Sequence, residues 1–429
     1  MGNRLHNWKG TKLGAVCVKI GSGATPRGGA KVYIDKGVSL IRSQNVQNSG
    51  FKMNGLAHIS DIHARQLDGV TVEHQDVLLN ITGDSVARTC QVDASILPAR
   101  VNQHVAIIRS KNEYLIPRYL RYALVQPCMQ QHLLGLASSG ATRNALTKQM
   151  IEDLELLLPP LPEQKAIAAV LSSLDDKIEL LRRQNETFEE IAQTIFMEWF
   201  VEFNFPDKKG KPYKANGGKM VDSELGPIPK GWRLVSLYDV AKYINGAAFR
   251  QDDFSLKNSG LPIIKIAELK DGLTANTKYT EKSVSEDIVL QDDDILFSWS
   301  GSPETSIDIF VWHLGKGILN QHTFRVIPHG CTEKVWVYNL LRHYKSLFVE
   351  LAKQKQTTGL GHVTVTDLKD TKTVCPDEGL LARYNEVAQP LFSKYCLNLK
   401  SMHTLARTRD TLLPKLMSGA LRVKGDIGE

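Results

Sequence analysis

The chain has 429 residues, 42% of them hydrophobic and 23% charged, with a mean hydropathy of −0.21. That length suits two or three domains of ~100–200 residues each, and that balance argues against disordered, fibrous and membrane-spanning classes. The formal net charge of +7 lies wholly in residues 1–160, which hold 18 Lys/Arg against 11 Asp/Glu, a distribution that suits a polyanionic partner.

Taken in chain order, residues 38–46, 76–82 and 104–109 have the composition of strands, and 117–134 reads as one helix with Pro117 in its first turn and Gly135 beyond its end. Pro159-Pro160-Leu161-Pro162 breaks the chain before a heptad segment. There Ile167, Leu171, Leu174, Ile178, Leu181, Asn185, Phe188, Ala192, Ile195 and Trp199 step by 4 and 3 without interruption. This is a coiled-coil seam roughly 50 Å long at ~1.5 Å per residue. Residues 204–232 are rich in Pro, Gly and Lys and read as a linker. Residues 261–269, 294–300 and 322–327 then read as strands again. A second, less regular seam follows in Tyr384, Ala388, Leu391, Tyr395, Asn398, Met402, Leu405, Arg409, Leu412 and Leu416, where Asn398 and Arg409 are polar and Pro390 implies a helix start or kink.

The second set of elements repeats the first. Asp76-Val77-Leu78-Leu79 with Gly83 matches Asp294-Ile295-Leu296-Phe297 with Gly301, and Asn102-Gln103-His104 matches Asn320-Gln321-His322, both at an offset of 218. Leu13, Val16 and Ile20 match Leu237, Val240 and Ile244 at 224; Ile41-Arg42 matches Ile264-Lys265 at 223; Gly140, Leu146 and Thr147 match Gly359, Val365 and Thr366 at 219. Five blocks in one order with slightly drifting offsets describe a duplicated module with loop insertions. The heptad segments are complementary in charge: residues 163–199 hold 4 Lys/Arg and 8 Asp/Glu, residues 381–424 hold 8 and 2. They are expected to pair, with Asn185 setting register. The expected fold is mixed α/β: two tandem domains, each followed by a long helix, the helices pairing as a coiled coil with pseudo-twofold symmetry. The expected boundaries are 1–160, 161–203 (helix), 204–231 (linker), 232–377 and 378–424 (helix).

Catalytic signatures do not emerge. There is no GxxxxGK[ST], no GxGxxG after a strand, no HExxH and no GxSxG. The run His58-Ile59-Ser60-Asp61-Ile62-His63 lacks metal-site spacing. The six cysteines (Cys17, Cys90, Cys128, Cys331, Cys375, Cys396) form no CxxC, no run of 18 apolar residues exists, and residues 1–12 lack a signal-type apolar core, so a reduced cytoplasmic protein is expected. One alternative is a nuclease: Asp253, Glu268 and Lys270 have the acid, acid-x-Lys order that holds magnesium. The matching first-half positions carry no such acids.

Three segments make the chain recognisable. Gly210-Lys211-Pro212-Tyr213-Lys214 with Gly217-Gly218 and Ser223-Glu224-Leu225-Gly226-Pro227-Ile228-Pro229-Lys230-Gly231-Trp232 resembles the central connection of type I restriction–modification specificity subunits. Pro159-Pro160-Leu161-Pro162-Glu163-Gln164 is similar to the family's approach to its first conserved helix. Arg409-Asp410-Thr411-Leu412-Leu413-Pro414-Lys415-Leu416-Met417-Ser418-Gly419 resembles its closing segment. The resemblance implies a non-catalytic DNA-reading subunit whose halves are target-recognition domains, each reading one part of a split sequence. It further implies helices that dock two methyltransferase subunits, with restriction subunits in the full complex. Methyl donor, ATP and magnesium would belong to those partners, and this chain would bind no cofactor.

Base edges are read by Arg on guanine and by Asn or Gln on adenine, while Lys, Ser and Thr position on phosphates. The DNA-contact candidates are therefore loop residues beside the repeated strands: Thr25, Arg27, Arg42, Gln44, Asn45, Arg143 and Asn144, then Arg250, Lys265, Ser300, Ser302 and His362. Asn102-Gln103-His104 and its repeat, identical in domains expected to read different sequences, are read as structural hydrogen-bonders. The third possibility, a coiled-coil scaffold, predicts binding without sequence preference.

Overall fold

A computed structural model describes residues 8–138, 144–329, 332–356 and 359–423. The chain divides into two compact units, residues 1–177 with 405–429 and residues 178–404. This division cuts each long helix in two, so each unit is built around a segment of both.

The first unit holds a four-stranded antiparallel sheet in the order Thr89–Gln91, Val77–Asn80, Val105–Ser110, Cys17–Ser22. The second unit repeats it as Asp308–Val311, Ile295–Ser298, Thr323–Pro328, Ala241–Asn245. Val77, Leu78, Leu79 and their counterparts Ile295, Leu296, Phe297 are fully buried, which explains why these strands read as continuous apolar runs rather than alternating ones. A second sheet in each unit contains one parallel pair, Val38–Ile41 with Ala99–Val101 and Leu261–Ile264 with Gly317–Leu319. A closing antiparallel pair, Lys9–Lys12 with Glu155–Leu158 and Arg233–Ser236 with Lys372–Cys375, ties the ends of each module together.

The repeated aspartates are structural. Asp76 Oδ1 and Oδ2 accept from Arg109 Nε and Nη2, both at 2.8 Å, and Asp294 Oδ1 accepts from Arg325 Nη2 at 3.1 Å. Each carboxylate also accepts the backbone N–H three residues before it, Glu73 and Gln291, at 2.7 Å. One residue thus turns the chain into the central strand and neutralises an arginine on its neighbour.

The long helices are Leu161–Phe196, followed by one π-turn at Met197–Val201, and Glu378–Met417. In the first unit Ile167, Ala168 and Leu171 share a core with Leu413, Leu416 and Met417. Asp175 Oδ1 accepts from Arg409 Nη1 at 2.8 Å, and Glu163 Oε2 accepts from Arg422 Nη2 at 2.8 Å, so numbering falls on one segment as it rises on the other. In the second unit Asn398 Nδ2 donates to Asn185 Oδ1 at 2.9 Å, and Tyr384 packs on Phe196 and Phe200. That segment is antiparallel too. The two polar residues that spoil the second seam are therefore its register pins: Asn398 meets Asn185, and Arg409 meets Asp175. Of the remaining seam residues, Leu171 and Leu181 are buried, and Leu174, Ile178, Phe188, Ile195, Leu391, Tyr395, Met402, Leu405 and Leu412 are half-buried.

Several expectations need correction. The strand expected over 38–46 is interrupted by a 3₁₀ turn, Ser43–Asn45. The strand expected over 261–269 ends at Ile264, because Glu268 turns back to accept the Lys265 N–H at 3.0 Å and caps a helix, Ile266–Asp271. The helix expected over 117–134 is two helices, Pro117–Val125 and Pro127–Ser138. Pro127 forces Gln126 into extended geometry, and Gly135 lies inside the second helix. Pro390 starts no helix. Glu378–Met417 runs through it because Tyr384, Ala388, Phe392 and Cys396 bury one continuous stripe around the single lost N–H, while Pro390 itself faces solvent. Within the expected linker, Phe205 stacks between Tyr213 and Trp232 at 4.6 and 5.3 Å, and strands Met220–Val221 and Ile228–Pro229 pair, giving a packed hairpin.

Candidate nucleic-acid interface

In each unit the loops at one end of the four-stranded sheet are fastened by the same hydrogen bonds. Gly23 N donates to Val105 O and Ala24 N to Val101 O; Gly246 N donates to Thr323 O and Ala247 N to Leu319 O. A Cβ on Gly23 would lie 2.0 Å from Val101 O, and one on Gly246 would lie 2.2 Å from Asn320 O, so only glycine permits this approach. Asn102 N donates to Ile41 O and Asn320 N to Ile264 O, both at 3.0 Å. Each repeated asparagine thereby anchors the loop whose next residue is a cation, Arg42 or Lys265.

Around these anchors the expected contact residues fall into groups. Thr25 is exposed on the loop after Cys17–Ser22 and its hydroxyl bonds Gln103 Oε1. Arg27 is exposed on the following turn, and Asn144 is exposed with its carbonyl accepting Gly83 N at 3.2 Å. Arg143 lies outside the described residues. Arg42 is half-buried over the Tyr33 ring at 5.4 Å and donates to Gly55 O at 2.7 Å, where exposed Gln44 also donates at 2.9 Å. Asn45 is a correction. It is not an exposed loop residue: it is 0% exposed and its amide is spent on the Arg42 N–H and Lys52 O, so it builds the loop.

In the second unit Ser300 and His362 stand opposite each other in a two-stranded pair, and exposed Ser302 precedes the short helix Pro303–Ser306. Lys265 sits 5.4 Å from the Phe254 ring. Arg250 is exposed, and its N–H caps onto Asp253 Oδ2 at 2.8 Å. That bond, with the Lys282 ammonium 2.8 Å from Oδ1, holds the Asp253 carboxyl below the ordinary range. Glu268 is 7% exposed, with Oε1 accepting from Thr277 and Oε2 from Lys265. Both acids of the alternative nuclease centre are thus committed to turn and cap hydrogen bonds. Among the described residues no group of three His, Cys, Asp or Glu is placed to hold a metal ion.

The repeated triplet divides in a way the sequence does not signal. Asn102 and Asn320 are buried and structural, but Gln103 and Gln321 between them and the strands are exposed. Trp299 was also missed: it is half-buried, donates to Asn245 Oδ1 at 3.1 Å and packs on His322 at 5.3 Å. The second unit therefore lines its rim with aromatics where the first has hydroxyls and an amide.

No helix of the described residues is long and apolar enough to cross a membrane. The profile of the type I restriction modification DNA specificity domain matches residues 6–190 and again residues 229–377. The chain is 29% identical over 334 residues to the type I restriction enzyme MjaIX specificity subunit of Methanocaldococcus jannaschii, covering 76% of this chain and 74% of that one. It is 19% identical to the type I restriction enzyme HindI specificity subunit of Haemophilus influenzae, covering 97% and 100%. The crystal structure of a type I restriction–modification S subunit from M. genitalium shares the fold, with a TM-score of 0.57, 14% identity and 97% of each chain covered. With both halves matched, the chain belongs to the type I restriction–modification DNA specificity family.

Proposed function

We infer that this chain is the DNA sequence-recognition subunit of a type I restriction–modification system, each half reading one part of a bipartite target. The observation that carries the reading is the duplication itself: one family domain occurs twice, and both copies present the same glycine- and asparagine-anchored rim with different side chains on it. Shared anchors with divergent rim residues, Thr25 against Ala248 and Ala145 against His362, suit two readers of different half-sites. The mechanism is recognition: Lys, Ser and Thr position on phosphates, and the amides and guanidiniums of the rim discriminate base edges.

In this reading the chain performs no covalent step. Methyl donor, ATP and magnesium are bound by partner subunits, two methyltransferase subunits dock on the paired helices, restriction subunits join the full complex, and the assembly works on cytoplasmic DNA. The test is methylome sequencing of a host expressing the chain with its methyltransferase, where one split motif is expected. Replacing residues 232–376 by the matching segment of another family member should change one half of that motif. If both halves changed together, the modular reading would be wrong.

A further inference from the structure

A chain of hydrogen bonds in the first unit ends on an exposed amide. Thr82 Oγ1 lies 2.6 Å from His104 Nδ1, His104 Nε2 lies 3.1 Å from Gln103 Nε2, and the Thr25 hydroxyl bonds Gln103 Oε1. Thr82 and His104 are half-buried; Gln103 and Thr25 are exposed. The chain is consistent in one direction. A Gln amide nitrogen only donates, so His104 Nε2 must be the bare acceptor; Nδ1 then carries the proton and donates to Thr82 Oγ1. The Thr25 hydroxyl donates to Gln103 Oε1. Backbone bonds hold the imidazole's own residue, with His104 N donating to Asn102 Oδ1 at 3.1 Å and its carbonyl accepting Ile81 N at 3.0 Å.

Both ends of the Gln103 amide are thereby fixed before any ligand arrives. One N–H and one Oε1 lone pair remain unused, side by side. That pair complements the major-groove edge of adenine, whose N6–H donates and whose N7 accepts. Guanine offers two acceptors there, and its O6 would face the amide oxygen. A pre-oriented amide also loses less conformational freedom on binding than a free one.

The second unit keeps the residues Gln321 and His322 but not this chain of hydrogen bonds. Ala248 stands where the first unit has Thr25. His322 has a left-handed backbone (φ 76°) and packs on Trp299. Among the described residues the side chain of Gln321 has no hydrogen-bond partner, only its N–H being used, on Ala247 O at 2.8 Å.

We propose that Gln103 reads an adenine in the half-site of the first unit, and that His104, Thr25 and Thr82 are positioning residues that orient its amide. The proposal rests on the DNA-recognition reading above and adds the base class and the residue. The test uses the full chain co-expressed with its methyltransferase, read by methylome motif and by competition binding of the complex to duplexes varied at each position. Gln103→Ala should reduce discrimination at one adenine by about 5- to 150-fold, the range one bidentate contact supplies, and leave the other half-site intact. His104→Ala should relax the same position by less, and His104→Gln, which keeps an acceptor near the place of Nε2, should restore it. Gln103→Glu, which cannot donate to N7, should shift preference away from adenine. Gln321→Ala should leave the first half-site unchanged. The retained second half-site shows that each variant is folded. An unchanged motif in Gln103→Ala, relaxation at a base other than adenine, or a uniform loss across all sequences would overturn the proposal. Absence of any split motif with the unaltered chain would instead overturn the DNA-recognition reading.

Discussion

Asp175 is the clearest place to test what holds the helix segments of the first unit together. Its carboxylate accepts from Arg121 and Tyr122 on helix Pro117–Val125 and from Arg409 on the distal helix. The side chains of Arg121, Asp175 and Arg409 are 10%, 16% and 19% exposed, so water screens this cluster poorly. Burial pushes the Asp175 pKa up, but Arg121 and the hydrogen bonds from Arg409, Tyr122 and Arg121 outweigh it and hold the carboxyl below the ordinary carboxylate range. Asp175→Asn removes the charge while keeping the volume. Arg121 retains Asn48 O at 3.0 Å and Arg409 retains Asp410, so neither guanidinium is fully orphaned. The expected cost is therefore about 2–3 kcal/mol, below the ~3–5 kcal/mol of a pair broken with no second partner. For a unit of about 200 residues this lowers its melting point by roughly 4–12 °C. Hydrogen exchange at amides of 117–125 should accelerate, with those of 334–343 in the other unit as control. The sign of the pH effect follows from the lowered pKa. The contribution is complete above the unfolded carboxyl value and is lost as pH falls through the folded one, so the difference between wild type and Asp175→Asn should shrink below about pH 4. A cost under ~0.5 kcal/mol, or a difference that grows on acidification, would refute the argument and place the cluster with ordinary surface ion pairs.

Three further outcomes follow from the same geometry. Asn398→Ala strands the buried Asn185 Oδ1 and should cost ~1–3 kcal/mol, whereas the double change of both asparagines to leucine should be near neutral in stability but lose register, visible as non-native disulfide trapping between cysteines placed one turn out of alignment. Gly23→Ala and Gly246→Ala should each destabilise only the unit that contains them, by ~1–3 kcal/mol or more, because the added Cβ meets backbone oxygen rather than a movable side chain; equal exchange rates in both units would contradict this. Arg42→Ala should weaken binding to specific DNA by ~1–3 kcal/mol if its guanidinium reads a base, relaxing one position, while a uniform loss with a smaller salt slope would make it a phosphate contact.

The heptad seams and the central strands were legible in their apolar spacing, and the repeat in that spacing together with the recurring Asp, Asn-Gln-His and Gly positions. Leu171 and Leu181 are buried for the reason that they recur every three or four residues. What escaped was set by single polar atoms. Asn45 and Gln44 are neighbours of similar chemistry, yet the Asn45 amide is 0% exposed under its own loop and Gln44 faces solvent, a difference decided by which carbonyl each reaches. Glu268 ends a strand early by reaching back three residues, a capping signal that the continuing apolar pattern at Ile266 and Leu269 conceals. The polar interruptions of the second seam carried information of the opposite kind. Asn398 and Arg409 weaken the heptad pattern when one helix is considered alone, but each has a complementary residue on the other, Asn185 and Asp175. A buried polar group is tolerated only where its partner arrives, so these residues penalise any slipped alignment while an all-leucine seam would not. The same logic separates the two modules' rims. Glycine and asparagine anchors are kept in both copies because backbone packs on backbone there, and a residue that differs, such as exposed Thr25 against exposed Ala248, lies outside that fixed frame. Duplication thus supplies two similar mounts that carry different side chains.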